Sequence, residues 1–523
     1  MSRKTIAARA AGLIALALAN GCASSSQGVV EPGEFRAAWF GLVPSVALAN
    51  PQVAPPEGVA IPPAIVPAGE AEGHGALTGE RVRTTVETVI EFATDMRAAG
   101  SQMWGRIAGL PSQAAAAQWL AGEFDAIGLT DVKLQSYKGT GDFWWPDKWE
   151  ARVLADPAYG DQTIDVVLAS AMPVSRSMLA GPIEAAVISV GDAGEVSTEG
   201  VAGKIAVQHT RPAAGAYSDR TKVRESSQKL IQAGAVAVIT WVEQAGNMHV
   251  FDFGQCGGPC FNIGGADGRF LTEAVKAAKD NGAPEVRMRL MLQSRNMTGL
   301  SAANVLGLVP GQSDEIIIVN AHLDSWFDGA GDNADGVGVL VALARYFSNQ
   351  QTKPARTLLF VGSGGHHSSG LTGPASVVTM NPDLMKRVKL VVNLEHLAQF
   401  DLEAVPAWKV DPAEEPKNFG VSNSSPFLVN LVKQAAQRYG FVIRPEIVNT
   451  VPGDLGGYAP LNVARIQGIH SGPLYHTSGD VLDSISTAGL EKAARFYAHV
   501  IEQAAKAPAE EINPPGSAAA PAQ

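Results

Sequence analysis

EIIIVNAHLDSWFDGAGDNADGVGVLVALARYF, from Glu315 to Phe347, is the stretch from which the rest of the chain is read. Its β-branched run, Ile316 to Val319, predicts a strand buried on both faces. The apolar positions after Asp335 recur at helical spacing and predict an amphipathic helix. Between the two lies a Gly-rich loop that carries His322, Asp324 and Asp332. Open α/β sheets place their binding crevice at the carboxyl ends of the strands, so the loop and the helix start should face one crevice. Imidazole and carboxylate are metal ligands, and a carboxylate near a helix start can bridge two cations. Asp324, two residues past His322, could orient that imidazole through its second nitrogen. Asp and Gly also favour turns for local reasons, so composition alone leaves a solvated polar loop as an equal reading.

The 523 residues, 46% hydrophobic and 17% charged, suffice for a large core and more than one domain. Arg3, Lys4 and Arg9 precede the apolar run AAGLIALALA, and small residues follow up to Cys22. That is the layout of a secretory signal, with an apolar run too short to span a membrane. LANGC is similar to a bacterial lipoprotein cleavage box, and lipid on Cys22 would anchor the mature chain. A plain signal peptide with Cys22 incidental is the alternative. The expected location is the periplasm or cell envelope, with membrane association only through that lipid. Removing residues 1–21 takes away three positive charges and no acidic ones, moving the formal charge from -11 to -14, which argues against nucleic acid as a partner. Residues 22–79, rich in Ala, Pro and Gly, read as a tether. In QCGGPC, Cys256 and Cys260 could form half a zinc site, but no second pair completes it, and in an exported chain a disulfide is the better reading.

HLDSW followed by GAGDNADG resembles the signature of the zinc exopeptidase family that includes bacterial leucyl aminopeptidases, plasma and membrane glutamate carboxypeptidases, the transferrin receptor and glutaminyl cyclases. The similarity runs from about Arg81 to Ala505. It implies an α/β fold with a mixed, mostly parallel sheet of about eight strands flanked by helices. The segment with GKIAVQHT, KLIQAGAVAVITW and PCFNIGGADGRFL resembles the β-rich protease-associated domain that interrupts many members. On this reading a signal peptide (1–21) and tether (22–79) precede a peptidase domain in two parts (80–155 and 291–508). The inserted domain occupies 156–290, and a disordered tail covers 509–523. The resemblance also implies two zinc ions. His322, Asp332 and Glu395 would hold one; Asp332, His476 and His367 the other, with Asp332 bridging and Asp324 behind His322. Glu395, in VVNLEHLAQF, stands where the family has Asp, and His476 lies in the late motif YHTSGDVLDSIS.

The chain departs from the family at TLLFVGSGGHHSSGLTG. Active members carry two adjacent Glu residues there, a general base and a metal ligand; this chain has His366 and His367, or His367 and Ser368, depending on where a gap is placed, and no Glu lies between Glu315 and Glu395. His367 could replace the ligand, because neutral imidazole suits zinc, and His366 could act as base, although nearby cations would weaken it. His396 could complete a rearranged, His-rich centre. Asp454 and Tyr458, in GDLGGYAP, occupy the region where relatives build a specificity pocket. Asp454 could pair with a substrate ammonium, whereas a carboxypeptidase needs a cation, for which Arg465 is the nearest in sequence. The expected function is an exported aminopeptidase acting on peptide substrates. A carboxypeptidase or dipeptidase is the alternative, as is a noncatalytic binding protein on the same scaffold.

Overall fold

The computed structural model describes residues 37–68, 74–175, 179–212, 219–251, 256–368, 370–403, 409–470 and 472–517. Cys22 and the signal-like segment lie outside these residues. The run Ile316 to Val319 is completely buried inside the strand Ser313–His322. Aliphatic side chains on both faces need cover on both faces, and that demand puts the strand in the middle of an eight-stranded sheet. It pairs in parallel with Arg356–Ser363 on one side and Val388–Asn393 on the other, and Ala464–Ile469 continues the parallel set. Antiparallel or mixed strands extend both edges: Ser301–Val309 and Thr130–Lys138 on one, Lys417–Val421 and Ile443–Val448 on the other. The mixed, largely parallel sheet flanked by helices is thus present.

The helix Asp335–Ser348 is more buried than a one-sided stripe requires, because it lies between the sheet and the outer helices Gly79–Ala98 and Thr487–Lys506. Gly338 permits this close packing: a Cβ there would come within 2.8 Å of Val86 Cγ2. The helix Pro111–Ile127 ends on Gly128 in the left-handed region, φ 88°, where glycine carries no steric penalty.

A second eight-stranded sheet interrupts the chain. Its strand Phe143–Leu154 pairs along its length with Arg287–Met297, so this sheet begins and ends outside the expected 156–290 boundaries. The Trp-rich strand points Phe143, Trp144, Trp145 and Trp149 into the second core. Cys256 and Cys260 are disulfide-bonded in this domain, with Cα atoms 6.4 Å apart.

Two peripheral segments are packed where the sequence suggested loose chain. Residues 37–68 cross the molecule: Trp39 stacks on Tyr159 and donates from Nε1 to the Ile164 carbonyl at 3.0 Å, while Val53 is buried with Met248, Phe400 and Leu474. At the other end, Ala509–Ile512 forms a short helix with Ile512 fully buried, and Asn513 accepts a hydrogen bond from Ala464 N. Apolar anchors spaced among Pro and Gly leave no periodic signal, although each buries the area of a large side chain. Trp39→Ala should release the strap and speed proteolytic cleavage within 42–68 severalfold while the main unfolding transition stays in place. An unchanged digestion pattern would show that the strap is held elsewhere.

Candidate metal centre

Four parallel strands end side by side, and each delivers chemistry from its carboxyl end. The strand ending at His322 supplies that imidazole and the loop to Asp332; the strand ending at Ser363 leads to His366 and His367. Asn393 leads to Glu395 and His396, and Ile469 to His470 and His476. A ladder of amides fixes the register beneath: Asn320 donates to Asn393 at 2.7 Å, and Asn393 donates to Gln467 at 3.1 Å and to Glu395 Oε2 at 2.8 Å.

Asp332 is the hub. Its Oδ1 lies 3.2 Å from His322 Nε2 and 3.4 Å from His396 Nε2, and its Oδ2 lies 3.2 Å from His476 Nε2 and 3.3 Å from His367 Nε2. Glu395 Oε1 approaches His322 Nε2 at 3.8 Å. Asp480 aims the hub by accepting from the backbone N–H groups of Gly331 (2.8 Å) and Asp332 (3.0 Å). Arg106, fully buried, donates to the carbonyls of Leu323, Asp328 and Gly329 and clamps the loop between strand and hub. Burial lowers the pKa of Arg106 to about 10 against the pull of Asp332 and Asp480, so it remains a cation at neutral pH.

Asp324 plays a wider part than orienting His322. The Nδ1 of His322 lies 3.0 Å from the Asp324 main-chain carbonyl and 3.5 Å from its carboxylate. The other carboxylate oxygen accepts the N–H groups of His366 and His367 at 2.9 and 2.8 Å. Asp324 thereby ties two of the site loops together.

Asp454 and Tyr458 are not terminus readers. The Tyr458 side chain is completely buried and donates to Asn320 Oδ1 at 3.0 Å. The Asp454 carboxylate accepts from Asn320 Nδ2 (2.9 Å) and Ser363 Oγ (2.9 Å), and its other oxygen lies 3.0 Å from His366 Nδ1. A carboxylate so buried must be matched by donors, and these leave none of it for a substrate ammonium. Arg465 is also buried, donating to the Leu455 carbonyl. The inserted domain brings a cation beside the centre: Arg220, at the start of the helix Arg220–Gln232, lies 5.0 Å over the ring of Tyr475, which stacks on His476. No motif in the sequence couples residue 220 to this site, whereas Asp480 stands within the quoted YHTSGDVLDSIS. The inserted domain also braces the His476 loop, with Phe251 N donating to the His476 carbonyl at 2.9 Å and Ser478 N to that of His249 at 3.0 Å.

The residues fit a divalent metal. Three groups of ligand atoms each lie within 4.8 Å of one another: His322, Asp332 and Glu395; Asp332, His367 and His476; and His322, His366 and His367. The Nε2 atoms of His322 and His396 are buried with no hydrogen-bond partner. Without a metal the charges compensate one another. Burial works to raise the Asp332 pKa, yet His367 and His396 hold it well below the carboxylate range. Burial works to lower His366 and His396, yet Asp454 raises the first to about 9 and Asp332 the second to about 9.

For these imidazoles the folded pKa exceeds the ordinary 6.5, so the folded state binds more protons between about pH 6.5 and 9 and its stability falls as pH rises there. Asp480, pushed by burial from 3.8 to about 7, acts with the same sign over a lower window. The metal-free protein should therefore melt at a lower temperature at pH 9 than at pH 6, and zinc, which displaces protons, should stabilise it more at the higher pH. A melting temperature that rises between those values would contradict this charge arrangement.

Residues 304–501 match the profile of peptidase family M28. Among solved structures, the chain is similar to a peptidase M28 precursor from Shewanella amazonensis, with 17% identity over 82% of this chain and 96% of that one and a TM-score of 0.59. It is similar to a zinc aminopeptidase from Bacillus subtilis, with 20% identity over 83% and 98% and a TM-score of 0.54. An aminopeptidase from Aneurinibacillus gives 20% identity over 83% and 96% with a TM-score of 0.50. No curated protein matches the chain by sequence. The matched residues include every ligand group of the centre, and the chain is a hydrolase of the metallo-exopeptidase class whose resemblance to the zinc exopeptidases is that of peptidase family M28.

Proposed function

We propose that the chain is an exported exopeptidase that removes a terminal residue from peptides at a two-zinc centre. The observation that carries this reading is the pair of ligand groups that share one buried carboxylate, His322–Asp332–Glu395 and Asp332–His367–His476. Bound zinc would polarise the scissile carbonyl and lower the pKa of a water at the site. The chain's own residues do the holding: Asp332 presents one oxygen to each group, Asn393 fixes Glu395, and Asp480 fixes the Asp332 backbone. His366, held through Nδ1 by Asp454 at 3.0 Å, stands beside these groups. Export, with lipid on Cys22, rests on the signal-like sequence, and the inserted domain, read as protease-associated, would cover the cleft.

Release of the N-terminal residue is the leading activity, supported by the aminopeptidases of Bacillus and Aneurinibacillus that share the fold. A carboxypeptidase or dipeptidase is the second reading, and a specific observation favours it. Asp454 is taken up by Asn320, Ser363 and His366, while Arg220 brings a cation to Tyr475 beside His476, suited to a substrate carboxylate.

Peptides blocked at one end separate these readings. An aminopeptidase should cleave C-amidated and spare N-acetylated peptides, a carboxypeptidase the reverse, and a dipeptidase only dipeptides free at both ends; on the second reading Arg220→Ala should raise KM about 10- to 100-fold for free-carboxylate substrates. Asp332→Ala should abolish cleavage and uptake of a second zinc ion, because both carboxylate-containing groups lose their shared ligand. A wild-type chain that holds two zinc ions and cleaves none of these peptides would be a binding protein on a hydrolase scaffold.

A further inference from the structure

We propose that His366 is a metal ligand, and that with His322 and His367 it forms a three-imidazole face that takes up the first divalent ion to enter the centre. The inference rests on the metal reading above and goes beyond the two carboxylate-containing groups. The ligand atoms of these three histidines lie within 4.8 Å of one another. The rings of His322 and His366 are stacked, with centroids 4.7 Å apart and planes 27° apart, and His367 stands edge-on to both at 5.1 and 4.6 Å.

Each stacked ring has its Nδ1 tied to an acceptor, His322 to the Asp324 carbonyl at 3.0 Å and His366 to the Asp454 carboxylate at 3.0 Å. A carboxylate or carbonyl on the far nitrogen is the arrangement that fixes the tautomer of a metal-binding histidine and raises its basicity as a ligand. Asp454 is itself fixed by Asn320 and Ser363, and Tyr458 holds Asn320, so the support for His366 is three residues deep. Gly453, at φ 70°, lets the chain pass close by: a Cβ there would sit 3.2 Å from His366 Cε1.

The alternative role for His366, general base, needs an imidazole free to accept a proton beside one or two cations, which depress its basicity. Three nitrogen donors instead suit the later first-row ions, zinc and copper, over magnesium or manganese. The face shares His322 with one carboxylate group and His367 with the other, so an ion there excludes the two-ion arrangement until it moves.

The test is copper(II) titrated into the metal-free full chain to one equivalent, with directly bound imidazoles counted by pulsed electron paramagnetic resonance. Three are expected in the wild type. His366→Gln should show two, and both His366→Gln and Asp454→Asn should bind copper about 10- to 100-fold more weakly. Asp454→Asn leaves all three histidines in place and so carries the test should His366→Gln fail to fold by circular dichroism. Identical nitrogen counts and affinities in the wild type and both variants would overturn the proposal. Two ions taken up together, with one and two imidazoles, would overturn it while leaving the two-zinc reading intact. A wild type that binds no metal would overturn both.

Discussion

Everything at the centre depends on keeping one almost fully buried carboxylate, Asp332, ionised. An isolated buried charge costs several kcal/mol, and the attraction of the imidazoles around it, His367 and His396 first, offsets that cost. The geometry then propagates outward. Four imidazoles can meet one carboxylate only if four strand ends arrive together, and the amide ladder from Asn320 through Asn393 to Gln467 holds those ends in register. Arg106 and Asp480 do the same for the loop that carries the hub, using backbone groups that side-chain identity cannot disturb.

The inserted domain is part of this construction. Its Phe251 and His249 hydrogen-bond the main chain around His476, its Arg220 lies over Tyr475, and its Trp149 shares one apolar core with Trp326 and Phe327 of the loop after His322. The strap 37–68 runs over the same junction, burying Val53 between Met248 of one domain and Leu474 of the other. Movement of the inserted domain would therefore be felt first at the His476 loop.

The replacement of the two glutamates by His366 and His367 is accompanied by other features nearby. Asp324 receives both of their backbone N–H groups, Asp454 receives the His366 ring, and Gly453 leaves room for it. These contacts fix the backbone of both histidines and the ring of His366.

The strand Ser313–His322 and the helix after Asp335 were legible in the sequence because burial periodicity is a local property, and the ligand candidates His322, Asp332, Glu395, His367 and His476 came from the resemblance of the motifs that carry them. The same locality misled at GDLGGYAP, where Asp454 looked like a substrate reader; only the fold shows that Asn320, Ser363 and His366 surround it. The strap and the start of the tail carried no periodicity, since single anchors such as Trp39 and Ile512 fix them. Arg220 could not be found at all, for its role depends on a contact between domains. What the sequence determined by itself is the core strand and the chemistry available at its end. What only the tertiary structure decided is which side chains share a charge, because that depends on distances of a few ångströms between residues far apart in the chain.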